Sequence, residues 1–253
     1  MPFPMRQRDP VPAEVISVVP LSSHFRRVTV SGPALRGVRA TPAQWMTGLF
    51  PVPEDAMPTA RPFTIAGSDP EAGRIDFDFA LHGGAGPAAR WIVRCRSGDT
   101  LGLLGPQGGF TPDPAADRLV LIGDATALPA IRSILAGPGR RPPAEVIAEV
   151  AECDDERMLK TSGDVNIEWL HSAGAPPGTT GQIELAVQRR LFAGVGTQVW
   201  LAGESDMVRA VQTHLLLDQA LPRTSIEARS TWTAGRPNVR EEVAQISFAG
   251  FPT

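Results

Sequence analysis

The 253-residue sequence predicts two domains, an antiparallel β-barrel followed by an α/β domain with a parallel sheet. Short β-branched runs separated by Gly/Pro turns fill the first hundred or so positions, which is typical of a small closed barrel. A proline-rich stretch at 111–117 then resembles a linker, and beyond it strand and helix patterns alternate. We therefore predict a loose N-terminus at 1–12, a barrel domain at 13–112 and an α/β domain at 118–253.

The barrel strands are predicted from β-branched and aromatic residues bounded by glycine and proline. Residues 74–81 alternate strictly and place Ile75, Phe77, Phe79 and Leu81 on one face. A helix is predicted from Gly86 to Val93, with Pro87 in its first turn. The predicted strands are Val15–Val19, Phe25–Val30, Gln44–Phe50, Arg61–Ala66, Arg74–Leu81 and Thr100–Leu104.

In the α/β domain, apolar runs predict four strands and amphipathic patterns predict three helices. No strand is predicted beyond the third helix. The strands are Arg118–Gly123, Glu145–Val150, Asn166–Leu170 and Gln198–Gly203, and the helices are Ala125–Leu135, Gly181–Phe192 and Asp206–Ala220.

Composition excludes several classes of function. A net charge of −3 gives no electrostatic reason to expect nucleic acid or an anionic membrane as partner. No run approaches the ~20 apolar residues of a membrane span, and no signal peptide is recognisable, so we expect a cytoplasmic protein. Cys95 and Cys153 are expected to be buried thiols, and no Cys/His spacing indicates a metal site.

The most informative segment is Arg61–Thr64, which reads Arg-Pro-Phe-Thr and is followed by a Gly/Pro-opened helix. A guanidinium suits a pyrophosphate, an aromatic ring suits an isoalloxazine face, and a hydroxyl can bond near flavin N5. The start at Gly86, Pro87 and Ala88 could present free N–H groups to phosphates, or be a plain helix start. His82 could touch the pyrophosphate or ribose, or be structural.

Two acidic residues follow predicted α/β strands, at the strand ends where open sheets bind ligands. Asp124, with Thr126, and Glu204 could each cap a helix or contact a nucleotide. Trp232 fits a core position or a cofactor lid. Because no G-x-G-x-x-G follows the first strand, an ordinary Rossmann dehydrogenase is disfavoured, and serine-hydrolase and P-loop motifs are absent.

Taken together, these segments resemble the siderophore-interacting protein family, flavin-dependent ferric-siderophore reductases of the ferredoxin-reductase-like superfamily. The resemblance runs from about Val15 to Gly235. Residues 61–64 are similar to the family's R-x-Y-T, and 123–130 to its G-D-E-T-A-L-P-A. The other matching segments are 78–83 with 86–88 (D-x-x-x-H-G and G-P-A), 98–99 with 105–108 (G-D and G-P-x-G), and 202–204 (A-G-E).

The resemblance implies FAD bound between barrel and α/β domain, with NADPH, NADH or a ferredoxin as electron donor and Fe(III) of a siderophore as acceptor. Arg61 would pair with the pyrophosphate, Phe63 pack on the flavin and Thr64 bond near N5. The implied cofactor residues are Arg61, Pro62, Phe63, Thr64, Asp78, Leu81, His82, Gly86, Pro87, Ala88 and Thr126. The implied substrate or nucleotide residues are Asp124, Glu204, Trp232, Trp45 and Thr47.

The sequence also departs from the family pattern, mainly by losing basic groups. Three basic residues of the family pattern are lost: Ala66 and Thr233 stand where the family has arginine, and Thr47 stands where it has lysine. In addition, Phe63 replaces a tyrosine, Ala125 a glutamate and Ala89 a serine. Two other hypotheses are therefore kept. In the first, a repurposed biosynthetic protein binds an apolar small molecule near Trp45, Met46, Phe50 and Trp232 and catalyses a non-redox step such as a cyclisation. In the second, the chain is a carrier without chemistry.

Overall fold

The structure is a computed structural model that describes residues 9–52, 57–81, 86–160, 165–192 and 196–235. The chain divides into two compact units. One contains the first strand and Phe25–Phe110, and the other contains the described residues from Thr111 onward together with Ser22–His24. The first unit holds the antiparallel strands and the second the parallel sheet, which is the predicted fold class.

The first unit is a closed barrel of six strands in the order β1-β2-β5-β4-β3-β6. Every pair of neighbouring strands is antiparallel. The strands are β1 (Val11–Pro20), β2 (Phe25–Ser31), β3 (Gln44–Phe50), β4 (Thr59–Asp69), β5 (Arg74–Ala80) and β6 (Thr100–Gly108).

The barrel core is built from inward-facing residues at alternate positions, as predicted for β5, where Ile75, Phe77 and Phe79 are buried. Helix α1 (Pro87–Arg94) packs on this core through buried Ile92. The guanidinium of Arg26 on β2 donates to the carbonyls of Ile92 and Val93, at 3.0 and 2.8 Å. A cation at a helix C-terminus satisfies carbonyls that have no partner within the helix, so this contact fixes the end of α1.

The second unit holds a five-stranded parallel sheet in the order β11-β10-β7-β8-β9. The first strand in sequence is central, so the connections leave it in two directions, and the topological switch point lies between β7 and β10. The strands are β7 (Arg118–Asp124), β8 (Ala144–Val150), β9 (Val165–His171), β10 (Thr197–Glu204) and β11 (Ile226–Trp232).

The helices of this unit are shorter than the sequence patterns predict. A 3₁₀ turn precedes α2, and α4 runs into a π-helical turn at His214–Asp218 instead of continuing to Ala220. The helices are α2 (Leu128–Leu135), α3 (Gln182–Gln188) and α4 (Ser205–Thr213).

Three other predictions need correction. Strand β1 begins at Val11, inside the N-terminus predicted to be loose, and β11 was not predicted. Cys95 is buried, but Cys153 is exposed in a 3₁₀ turn after β8, so the prediction of two buried thiols is wrong for Cys153. No helix in the described parts of the chain is long and apolar enough to cross a bilayer.

Candidate functional site

Strand β4 separates the residues of the Arg-Pro-Phe-Thr segment onto two faces. Arg61 and Phe63 point to one side and Thr64 to the other, because strand side chains alternate. The continuous register with β3 places Gly48 opposite Arg61 and Trp45 opposite Thr64. The segment therefore presents a cation and a ring on one face and a hydroxyl on the other.

The ring of Phe63 is held in a chain of aromatic contacts. Its centroid lies 4.4 Å from that of Phe79 and 5.5 Å from that of Phe50, both edge-to-face. Phe50 in turn touches Trp91 of α1, at 5.4 Å. Such pairs add stabilisation beyond area burial, so Phe63 is fixed against the core while it stays half-buried.

A second aromatic ring lies on the other face of this strand pair. Trp45 and Thr47 of β3 lie opposite Thr64 and Pro62 of β4. The Trp45 ring rests on the backbone of Gly108 in β6, where a Cβ would overlap it. On this outer face Trp45, Thr47 and Thr64 are half-buried and Pro62 is exposed. The face combines an indole with hydroxyls and carries no ionisable group at these four directly paired positions.

The start of α1 has the features of a phosphate-binding turn. Gly86 is the N-cap, Pro87 occupies the first turn, and no side chain among the described residues caps the helix. A Cβ at Gly86 would meet nothing within 4 Å, so ligand atoms can approach the backbone there. Free N–H donors at a helix N-terminus fit a phosphate. His82, the other residue predicted here, lies outside the described residues.

Asp78, predicted at the cofactor site, forms a fork-like ion pair with Arg27. Nε and Nη2 of Arg27 donate to Oδ1 and Oδ2 of Asp78, at 2.7 and 3.0 Å. The carboxylate is buried, and Arg27 lies directly opposite on β2. Sequence reasoning missed Arg27; opposite charges at facing positions were the available signal. Leu81 is partly buried and packs on the barrel core.

In the α/β unit, Asp124 lies at the carboxyl end of β7, fully buried, and its carboxylate accepts four hydrogen bonds. Oδ1 accepts from the backbone N and Oγ1 of Thr126, at 2.8 and 2.6 Å. Oδ2 accepts from the backbone N of Glu204 and from Nε1 of Trp232, both at 2.8 Å. The structure thus brings together four predicted residues from the ends of three strands, β7, β10 and β11.

Glu204 caps helix α4, which is one of the two interpretations that the sequence left open. Its Oε2 accepts from the backbone N of Asp206 and Met207, at 2.5 and 3.1 Å. Its Oε1 accepts from the backbone N of Ala234, at 3.0 Å. The same carboxylate therefore anchors the chain after β11 to the start of α4. A nucleotide contact of Asp124, Thr126 or Glu204 stays a prediction.

A third carboxylate, Glu149 at the end of β8, was missed by sequence reasoning. Its Oε1 accepts from Oγ1 of Thr180, at 2.7 Å, and its Oε2 from the backbone N of Gly178, at 3.1 Å. Gly178 has a φ of +89° and is buried. The one signal available was an acidic residue inside an apolar strand, which needs partners when it is buried.

The pKa values of the three carboxyl groups are shifted, two of them upward and one downward. Burial raises the pKa of Asp124 despite its hydrogen bonds. Burial also raises the pKa of Glu149, although hydrogen bonds from Thr180 and Gly178 act to lower it. Repulsion from Asp124 and Glu184 adds to the rise in this pKa. For Glu204 burial acts in the same direction, but the backbone N–H bonds outweigh it and lower the pKa.

These directions predict how stability depends on pH. A raised native pKa contributes stability below the ordinary value, 4.5 for Glu149, and this contribution is lost as pH rises through the native pKa. The substitution Glu149→Gln should therefore flatten the decline in unfolding free energy as pH rises above about 4.5. Denaturant titrations of both proteins across this range check it, and parallel curves would contradict it.

Sequence models of known families match both units of the chain. The sequence model of the family described as "Siderophore-interacting FAD-binding domain" matches residues 37–110, within the barrel. The model described as "Siderophore-interacting protein" matches residues 116–235, within the α/β unit. The first match supports FAD as the cofactor, and the residues at β4 and α1 have the chemistry that FAD requires.

Curated relatives share part of this chain. The mycobactin import ATP-binding/permease protein IrtA of Mycobacterium tuberculosis is 26% identical over 230 residues, which are 88% of this chain and 26% of that protein. The chain thus spans about a quarter of the IrtA relatives. Ferric vibriobactin reductase ViuB of Vibrio cholerae is 28% identical over 185 residues, 71% of this chain and 66% of that protein.

Solved structures confirm the predicted fold class. A siderophore utilization protein from T. fusca has a TM-score of 0.82 and 29% identity, covering 92% of this chain and 95% of that one. The siderophore-interacting protein SipS of Aeromonas hydrophila has a TM-score of 0.80 and 26% identity, covering 90% and 93%. Barrel and α/β unit match in the predicted order, and the chain belongs to the siderophore-interacting protein family.

Proposed function

We propose that this chain binds FAD on its barrel and passes electrons through the flavin to Fe(III) held by a siderophore or a similar chelate. The observation that carries the proposal is the half-buried face of β4 with Arg61 and Phe63, in the same barrel as the uncapped start of α1. The family-level relationship to flavin-dependent reductases supports it. Ferredoxin as donor and a cytoplasmic location stay predictions.

In this proposal the chain's own residues bind and orient the cofactor. The guanidinium of Arg61 and the N–H groups of the first turn of α1 neutralise the pyrophosphate. Phe63, immobilised by Phe50 and Phe79, offers its exposed part to the flavin. A contact of the Thr64 hydroxyl, on the opposite face of β4, with N5 stays a prediction. Bound FAD supplies the ability to accept two electrons from a donor and deliver them singly to Fe(III). Hard oxygen ligands hold Fe(II) less tightly than Fe(III), so reduction releases the metal.

The first test is the absorption spectrum of the purified protein, before and after addition of FAD. Flavin bands that bleach on reduction, with Fe(II) then appearing in a colorimetric trap when a ferric chelate is added, support the proposal. A protein that stays without flavin absorbance after incubation with excess FAD contradicts it.

The substitution Arg61→Ala should weaken FAD binding by about tenfold to a hundredfold, the value of one charge-assisted hydrogen-bonded contact. Riboflavin carries no phosphate, so its affinity should be unchanged. The Kd of each ligand can be measured by flavin fluorescence quenching. The matched control is Arg74→Ala, which removes an exposed arginine from β5 of the same barrel. Equal losses for FAD and riboflavin would contradict pairing of Arg61 with the pyrophosphate.

A second candidate function is a non-redox step on an apolar small molecule. It is favoured by the neutral outer face at Trp45, Thr47 and Thr64, which offers nothing to attract an anionic chelate. Met46 and Phe50, expected to line such a site, are instead buried in the barrel core, so that part of the expectation is wrong. Turnover of an uncharged substrate under anaerobic conditions, without reductant, would favour this candidate over the reductase.

A further inference from the structure

The carboxyl-end edge of the parallel sheet is filled by groups of the chain itself. We propose that Asp124 and Glu204 make this edge selective against nucleotide phosphates, so that no dinucleotide electron donor is seated at the switch point between β7 and β10. The consequence for the electron donor rests on the proposed function, whereas the binding claim holds whether or not the protein carries flavin.

Open α/β sheets bind nucleotides where N–H groups at helix N-termini are free to take a phosphate. At the switch point, three such donors already have partners. The N–H of Thr126, in the turn before α2, donates to Asp124. The N–H groups of Asp206 and Met207, at the start of α4, donate to Glu204. A phosphate could reach these donors only by displacing a buried carboxylate.

The space at the switch point is taken as well. Gly178, in the segment 176–180 between β9 and α3, lies against both carboxylate residues. A Cβ at Gly178 would stand 2.6 Å from Oδ2 of Asp124 and 3.1 Å from Cβ of Glu204. That close approach is possible because residue 178 is glycine at a positive φ. The crevice in which a pyrophosphate would lie is therefore occupied by main chain.

This segment is part of the folded domain. Both oxygens of Glu149 bind it, through the N–H of Gly178 and the hydroxyl of Thr180. Pro177 and Gly178 are buried, and the Thr179 N–H and hydroxyl both donate to the carbonyl of Pro176. Opening the crevice would break several hydrogen bonds at once, whereas the rotation of one side chain would not break so many.

The local charge also opposes phosphate. Asp124, Glu149 and Glu204 lie at the same edge of the sheet. In the described part of the chain, every group that donates a hydrogen bond to these carboxylates is uncharged. A phosphate would add negative charge to a buried acidic cluster that no cation among the described residues contacts through a hydrogen bond. Juxtaposed like charges suppress the binding of such a ligand.

The first test is calorimetric titration of the purified protein with NADPH, NADH and ADP up to millimolar concentration. No saturable binding is expected with any of them. If the protein carries flavin, its reduction by NADPH should follow a rate that rises linearly with concentration. Saturable binding of NADPH that ADP competes away would overturn the proposal. Absence of flavin from the protein would instead count against the proposed function, since the titrations do not need it.

The second test frees the donors at one helix. Glu204→Ala removes the carboxylate from the first turn of α4, whereas Asp206→Ala removes an exposed carboxylate from the same turn and leaves the donors capped. Weak ADP binding should become detectable at millimolar concentration in Glu204→Ala and stay undetectable in Asp206→Ala, because an uncapped helix terminus favours an anion. Circular dichroism confirms that both variants fold. ADP binding that is absent from both folded variants, or equal in both, would contradict the role of Glu204.

Discussion

Replacing Asp124 with asparagine is expected to lower the free energy of unfolding by about 2–4 kcal/mol. Each carboxylate oxygen accepts two hydrogen bonds, so an amide nitrogen in either position would face a backbone N–H, that of Thr126 or that of Glu204. A buried donor without a partner costs about 1–3 kcal/mol. Asparagine avoids the cost of burying a charged carboxylate, the cost that raises the pKa of Asp124, but this gain offsets only part of the loss. Urea titration at neutral pH measures it.

Asp117→Asn is the matched control, because Asp117 is exposed and directly precedes the same strand. Its effect should stay within about 0.5 kcal/mol. The variant Trp232→Phe removes one of the four donors, so its effect should not add to that of Asp124→Asn. Wild-type stability of Asp124→Asn would show that the carboxylate cluster does not hold the three strand ends together.

Gly108→Ala is expected to destabilise the barrel by about 2–4 kcal/mol and to move Trp45. The φ of Gly108 is +64°, which disfavours any residue with a Cβ, and the added methyl would overlap the indole. The ring would have to leave its place opposite Thr64 on the outer face of the strands. Denaturant titration measures the loss of stability, and near-ultraviolet circular dichroism reports the altered surroundings of the tryptophan.

The control variant Gly98→Ala separates the cost of backbone strain from the cost of overlap with the Trp45 ring. Gly98 belongs to the same barrel and has a φ of +95°, but a Cβ there would meet nothing within 4 Å. This control should lose only about 1–2 kcal/mol and leave the tryptophan signal unchanged. If both variants lose the same stability with identical spectra, Trp45 is not held by the backbone of Gly108.

The sequence predicts those elements best in which one periodicity dominates. Strand β5 alternates strictly, and β3 has the predicted bounds, Gln44–Phe50. Strand β11 escaped prediction because Glu227 and Arg229 interrupt its apolar residues, as an edge strand permits. The pattern of Asp206–Ala220 stays amphipathic beyond Thr213, and periodicity alone does not register the change to a π-helical turn there.

The candidate site shows a similar limit. The sequence predicts Phe63 and Thr64 as parts of one binding segment, but only strand pairing reveals that their side chains face opposite ways. The helix-capping interpretation of Glu204 was available from its position after a strand. The contact of Gly178 with Asp124 joins positions far apart in sequence, and no local pattern in either segment predicts it.

The central place of β7 in its sheet has a consequence for how the polypeptide reaches its native state. β8 follows β7 closely along the chain, whereas β10 must return across two intervening strands, at a larger entropic cost of loop closure. The β7–β8–β9 half is therefore expected to assemble first. Until β10 arrives, the apolar edge at Leu119–Ile122 is an open template for strands of other molecules, so this interval is when the nascent protein is most prone to aggregate.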